Sequence, residues 1–159
     1  MARVILVTGI ETPLVREAVA KFSCEMLDTE ECIREIIYAA NYSISPMLEN
    51  LAKKFQSALN KSKPTPAKIT WQLLVSKLGA FNAGQLVVVS GYPRNEVDIK
   101  QLKTNEQQIL GIVTIRTMEQ IFEQYARPII YLESFNVPQL LWAFTSLLIS
   151  PTENECPAS

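Results

Sequence analysis

Leu86-Val87-Val88-Val89-Ser90-Gly91-Tyr92-Pro93-Arg94 is the stretch on which the fold turns. Leu86–Val89 is a short unbroken apolar run rich in β-branched residues. Such a run predicts a strand covered on both faces. Ser90 and Gly91 end it, and Pro93 rules out an immediate return to a strand ladder or a helix interior. Strands without polar alternation belong to parallel sheets flanked by helices.

The rest of the chain repeats the theme outward from this strand. Val4–Thr8 is a second β-branched run, closed by Gly9, and Leu14–Phe22 has helical character with Pro13 in a first-turn position. Glu25–Leu27 predicts a short strand. Asp28 or Thr29 caps a helix that runs to about Ala40, with Glu30 and Glu31 in its first turn. Pro46 reopens the chain, and Met47, Leu48, Leu51, Phe55 and Leu59 recur at helical spacing. Lys61–Pro66 is a loop, and Ile69–Leu78 is a helix with Trp71, Leu74, Val75 and Leu78 on one face.

Downstream of Arg94 come a helix whose ends the pattern leaves open, a strand at Ile109–Ile115, a helix at Met118–Tyr125, a strand at Pro128–Leu132 and a strongly apolar helix at Pro138–Ile149. Ser150–Ser159 is polar, holds two prolines, and is expected to be a disordered tail. Strand–helix alternation predicts an α/β fold: one domain over residues 1–150, with a five-stranded parallel sheet and helices on both faces. In such sheets ligands bind beyond the carboxyl ends of the strands, which places the Gly9–Pro13 loop and the Ser90–Arg94 loop on one rim.

Composition agrees with that class. At 159 residues the chain suits a single domain, and 48% hydrophobic residues suit a doubly covered sheet. A net charge of −1 provides no broad basic field for nucleic acid and no polybasic membrane patch. The lysines of Lys53–Lys68 read as a solvated helix end and loop. With no histidine, a histidine metal site and a Ser-His-Asp triad are excluded. Cys24, Cys32 and Cys156 match no zinc or redox spacing, and the first two read as small apolar residues in a reducing compartment. No secretory signal is visible and Leu140–Ile149 is too short to span a bilayer, so the expected location is cytosolic, free or attached to a cytosolic structure such as a cilium or flagellum.

Leu86–Arg94 resembles the strand and loop of adenylate kinases, members of the nucleoside monophosphate kinase family, where an apolar strand runs into D-G-[FY]-P-R. The resemblance implies a P-loop nucleoside-kinase-like fold in which Gly91 and Arg94 face the phosphate of an acceptor monophosphate such as AMP. Leu27-Asp28-Thr29-Glu30-Glu31-Cys32-Ile33-Arg34 is similar to the family's L-S-T-G-D-L-L-R, which implies that Thr29 touches the acceptor base and Arg34 its phosphate. Lys63–Leu78 resembles the segment that closes over the monophosphate, and Thr117–Leu148 resembles the family's last helix, strand and helix. Pro128–Leu148 aligns alternatively with the family's fourth strand and the helix after it. Relatives of this family occur in the cytosol and in cilia.

The donor half of the pattern is broken. The family's first loop is G-x-P-G-[SA]-G-K-G-[ST], whose amides and lysine cradle phosphate and whose hydroxyl helps hold magnesium. Here it reads Gly9-Ile10-Glu11-Thr12-Pro13-Leu14-Val15-Arg16-Glu17. Val15 stands at the lysine position, Glu17 at the hydroxyl position, and Glu11 and Pro13 replace a neutral donor-rich backbone. Arg16 is one position late, about 100° around a helix. Ser90 replaces the aspartate of the second motif, and only Arg116 and Thr117 separate a strand from a helix where the family inserts its mobile lid.

Phosphoryl transfer depends on such groups for positioning and charge stabilisation. The expectation is a catalytically inactive, adenylate-kinase-like protein without cofactor or metal, acting as a protein-binding scaffold or as a monophosphate sensor. Its contact with a protein partner or with itself would run through the helix 137–149. The alternative is an active nucleoside monophosphate kinase using ATP and magnesium, with Arg16 or Lys21 rebuilding the donor site.

Overall fold

A computed structural model of the chain describes residues 2–149, excepting 104, 124 and 126. The tail expectation at Ser150–Ser159 therefore lies outside the described residues. Five strands, β1 (Arg3–Val7), β2 (Glu25–Asp28), β3 (Leu86–Ser90), β4 (Ile109–Ile115) and β5 (Ile129–Leu132), form one sheet in the order β2-β3-β1-β4-β5. Every neighbouring pair is parallel. The sheet is flanked by helices α1 (Thr12–Phe22), α2 (Thr29–Ala40), α3 (Pro46–Asn60), α4 (Ala67–Leu78), α5 (Glu96–Gln101), α6 (Glu119–Phe122) and α7 (Val137–Ile149). The arrangement is that of a single-domain Rossmann- or P-loop-like α/β fold.

Side-chain alternation along the strands divides the core in two. Val4 and Leu6 of β1 and Val87 and Val89 of β3 point to one side, where they meet Ile33 of α2, Phe55 of α3, Trp71 and Leu74 of α4, and Phe122 of α6. Ile5, Val7 and Val88 point to the other, where α1 and α7 supply Val15, Ala18, Leu140 and Phe144. Phe22 of α1 meets Phe144 of α7 edge-on, with ring centroids 5.6 Å apart. Burial of this kind contributes about 25 cal/mol per Å2 of apolar surface and is the main favourable contribution in a fold of this size.

Two residues set how closely the last helix approaches. In β4 the register slips between Val4↔Ile109 and Ile5↔Gly111, so Leu110 is an extra residue. A Cβ on Gly111 would lie 2.6 Å from Leu147 Cδ2 and 2.7 Å from the carbonyl oxygen of Pro128. Only glycine lets α7 sit down on the sheet here.

Element ends differ modestly from the sequence expectations. α1 begins at Thr12, one residue before Pro13, and β3 runs on to Ser90. The helix expected over Met118–Tyr125 is instead a 3-10 turn, Arg116–Met118, followed by the single turn α6. Phe122 is anchored in the core, and the Tyr125 amide bonds back to the Phe122 carbonyl in a tight turn that stops the helix. Pro128, next in line, disfavours helical geometry at the residue before it. The open-ended helix after Arg94 is α5, begun by Asn95, whose side chain accepts from the Asp98 amide at 2.9 Å.

Candidate functional site

The carboxyl ends of the strands carry a polar layer over an apolar sheet. Thr8 follows β1, Asp28 ends β2, Ser90 ends β3 and Thr114 lies near the end of β4, and all four are buried. This is the rim on which parallel α/β folds build their sites, and it has two parts.

The first part is the loop between β1 and α1. Gly9 adopts a positive φ of 79°, the left-handed turn that glycine permits, beneath the side chains of Ile115 and Met118. The helix then starts at once. The Glu11 carbonyl accepts from the Leu14 amide at 3.1 Å and from the Val15 amide at 3.2 Å, while Pro13 has no amide hydrogen to offer. Val15 is fully buried in the core shared by α1 and α7. Arg16 is exposed and turned to α2, where its Nη2 donates to Glu31 Oε2 at 2.9 Å. Glu17 pairs along the helix with Lys21 at 3.7 Å.

The Asp28 carboxylate closes the rim beside this loop. Its Oδ1 accepts from Ser90 Oγ at 2.7 Å and from Thr12 Oγ1 at 3.3 Å, and its Oδ2 accepts from the Glu31 amide at 3.1 Å. Against the two quoted motifs, serine and aspartate have changed places. The patterns would put serine at 28 and aspartate at 90, whereas here Asp28 accepts from Ser90. The rim keeps a carboxylate, but that carboxylate is held by three donors from β3, α1 and α2.

The second part surrounds Arg94. Thr29 is buried, its hydroxyl donates to the Ser90 carbonyl at 2.8 Å, and its side chain lies against Gly91, whose φ is 84°. Thr29 and Gly91 are thus neighbours. Arg94 Nε donates to Asp98 Oδ2 at 2.7 Å, and Nη2 donates to Asp98 Oδ1 at 3.0 Å. Nη1 donates to Thr65 Oγ1 at 2.8 Å, and Nη2 donates also to the Thr65 carbonyl at 2.9 Å. Four of the five guanidinium N–H groups are therefore used.

The ion pair is sheltered, with Arg94 at 23% and Asp98 at 1% side-chain exposure. The network extends into α4. Thr70 Oγ1 gives its proton to the Pro66 carbonyl, so in the 2.7 Å Thr65–Thr70 contact Thr65 is the donor. Tyr92, stacked on Trp71 at 5.3 Å, donates to the Ala67 carbonyl at 3.2 Å. Burial, with Asp98 adding to it, pushes the Tyr92 hydroxyl well up, so it remains a donor.

Arg34 stands apart. Its side chain is 71% exposed and reaches Glu30 at 3.9 Å, one turn back on α2. Its network is separate from that of Arg94. The single 3-10 turn Arg116–Met118 follows β4, and Arg116 pairs with Glu119 and Glu133.

Sequence reasoning missed Asp98 and Thr65, the partners that hold Arg94, and saw Asp28 only as a helix cap. An arginine and an aspartate four apart, at the start of a helix capped by Asn95, was the one local signal for the Asp98 pair. Among the described residues no group of acidic and thiol side chains converges to hold a metal ion, and no helix is long and apolar enough to cross a membrane. No protein-family model matches the chain, and no curated protein matches it at a significant level.

Proposed function

We propose that this chain is a catalytically inactive, adenylate-kinase-like module that acts by binding a protein partner or a second copy of itself. The observation that carries the proposal is the start of α1. Backbone amides that would have to face a phosphate are taken by the Glu11 carbonyl, and the side chain at the lysine position, Val15, is in the core. A kinase needs donors aimed at the charge that develops on the transferred group. Arg94, the best remaining candidate, is already satisfied by Asp98 and Thr65.

Exposed apolar residues support a binding role. Trp142 and Ile149, two turns apart on one face of α7, remain exposed while Leu140, Phe144 and Leu147 are buried. Trp142 and Ile149 are the large apolar side chains that the 137–149 helix leaves exposed. Tyr38, Tyr42, Ile44 and Met47 form a second exposed group around the α2–α3 turn. A reducing compartment such as the cytosol is part of the proposal, since Cys24 and Cys32 are free thiols.

A coupled assay with ATP, magnesium and each of AMP, GMP, CMP and UMP tests the proposal. No turnover is expected. Turnover that disappears in Arg94→Ala overturns it and restores the kinase reading.

A second reading, monophosphate sensing, draws on the Thr29–Gly91 contact beside Arg94 on one rim. It requires a phosphate to displace Thr65 or Asp98 from the guanidinium. Calorimetric titration with the same monophosphates decides it: heat that vanishes in Arg94→Ala supports sensing, and no heat at millimolar ligand ends it.

A further inference from the structure

α7 reads VPQLLWAFTSLLI and holds no charged residue. The outer faces of α1, α2, α3 and α4 all do, with Arg16, Arg34, Lys54 and Lys68 exposed. Leu140, Phe144 and Leu147 turn one side of α7 to the core. Counting about 100° per residue, Leu141, Leu148, Thr145, Pro138, Ile149 and Trp142 share one arc of about 120° beside and opposite that side. A mostly apolar arc of this width is what a helix ordinarily turns to a core. α7 thus carries two, and the second is topped by Trp142 and Ile149, which are 57% and 68% exposed.

The hydroxyls of this face are the second observation. Thr145 Oγ1 donates to the Leu141 carbonyl and Ser146 Oγ to the Trp142 carbonyl, each at 2.9 Å. Both protons are held by the helix's own backbone, so a partner can cover them without stranding a donor. The order of side-chain sizes is the third. Trp142 and Ile149 are large, and the small residues Thr145 and Ser146 lie midway between them. Sizes so placed read alike from either end, as a surface that meets its own copy requires. Without charge on the face, no like charges meet across a two-fold axis, and a net charge of −1 gives two copies little mutual repulsion.

We propose that this face of α7 binds a second copy of the chain, the two α7 helices running antiparallel across a two-fold axis that passes between Thr145 and Ser146. That axis sets Trp142 over Ile149 of the partner subunit, and Ile149 over Trp142 of the partner subunit. The small residues at the crossing let the helix axes approach to about 8–10 Å. The face is about 17 Å long from Pro138 to Ile149. A single helix face of that length falls short of the about 800 Å2 that each partner gives to a stable complex, so the dimer is a reversible one. The inference rests on the binding role proposed above and narrows its partner to a second copy.

Sedimentation equilibrium of the full chain tests it. A reversible monomer–dimer equilibrium with a Kd of ~100 µM or below is expected. Trp142→Lys and Ile149→Glu change exposed positions, and melting curves of dilute protein check that each variant keeps its fold. Each alone is expected to weaken the dimer at least about tenfold, because it buries an unpaired charge twice. An equimolar mixture of the two is expected to recover a dimer, since one lysine–glutamate pair and one native Trp–Ile pair then face each other across the axis. A chain still monomeric at ~500 µM, a single variant that dimerises as the unaltered chain does, or a mixture no tighter than its components would each overturn the proposal. The first of these results leaves a different protein as the occupant of this face. Turnover in the coupled assay, read separately, bears on the inactive module and not on the dimer.

Discussion

Asp98 grips Arg94 at both ends of its carboxylate, Oδ2 to Nε at 2.7 Å and Oδ1 to Nη2 at 3.0 Å, and Oδ2 also accepts the Arg94 amide at 2.7 Å. The pair joins the loop after β3 to the first turn of α5, and Thr65 ties both to the start of α4. A guanidinium so held is a structural joint as much as a ligand for anions.

Asp98→Ala is therefore expected to destabilise the protein by about 3 kcal/mol, because it strips a mostly buried arginine of its counter-charge. Urea unfolding of Asp98→Ala, Arg94→Ala and the double variant measures the coupling. The double variant should be less destabilised than the sum of the singles.

A lysine placed at position 15, where the adenylate-kinase resemblance would put one, should not create a phosphate site. Val15→Lys places an ammonium in a core built from Ala18, Phe144 and their neighbours. A loss of about 4 kcal/mol is expected, since a buried lysine must be neutralised or pulled out to water. Thermal melting reads the loss, and a coupled assay should detect no gain of phosphoryl transfer. An unchanged melting temperature would mean that the side chain at 15 faces solvent.

Two glycines should respond differently to alanine. Gly111→Ala drives a methyl group into the Pro128 carbonyl oxygen, which as backbone cannot swing aside, so about 3 kcal/mol of destabilisation is expected. Gly84 has a φ of 81° with open space around it, so Gly84→Ala costs only the backbone strain, about 1 kcal/mol. Denaturant midpoints of the two variants give the ratio.

Alkaline stability carries a thiol signature. Burial pushes Cys24 and Cys32 from their ordinary 9.0 up to about 11. Between those values the unfolded chain releases thiol protons that the folded chain retains, so the thiols' contribution to stability is constant below about pH 8 and falls as the pH rises from 9 to 11. Unfolding midpoints compared with a Cys24→Ala, Cys32→Ala variant should show a shallower alkaline fall in the variant.

The architecture was largely legible in the sequence because each strand is a contiguous apolar run punctuated by glycine or a polar residue. α5 was harder to bound. Its six residues include only Val97 and Ile99 as hydrophobics, too few to show a period, and its clearest marker is a cap, Asn95 to Asp98. α6 was overestimated because Ile121, Phe122 and Tyr125 keep helical spacing although the chain turns after Phe122.

The site was half legible. Gly91 and Arg94 were singled out by one short motif and Thr29 by another, and the structure sets Thr29 against Gly91. The bond from Ser90 to Asp28 spans 62 positions, and no local pattern in a single chain announces it. The same holds for Thr65, 29 positions from the arginine it caps.

The pairing of α1 with α7 on one face of the sheet bears on biosynthesis. Ile5 and Val7 leave the ribosome well before Leu140, Phe144 and Leu147, which complete their cover. Until the residues from Val137 onward are made, α7 cannot cover that side of the sheet, and the nascent chain presents bare hydrocarbon there. A product cut short before Val137 lacks Leu140, Phe144 and Leu147 and is expected to aggregate.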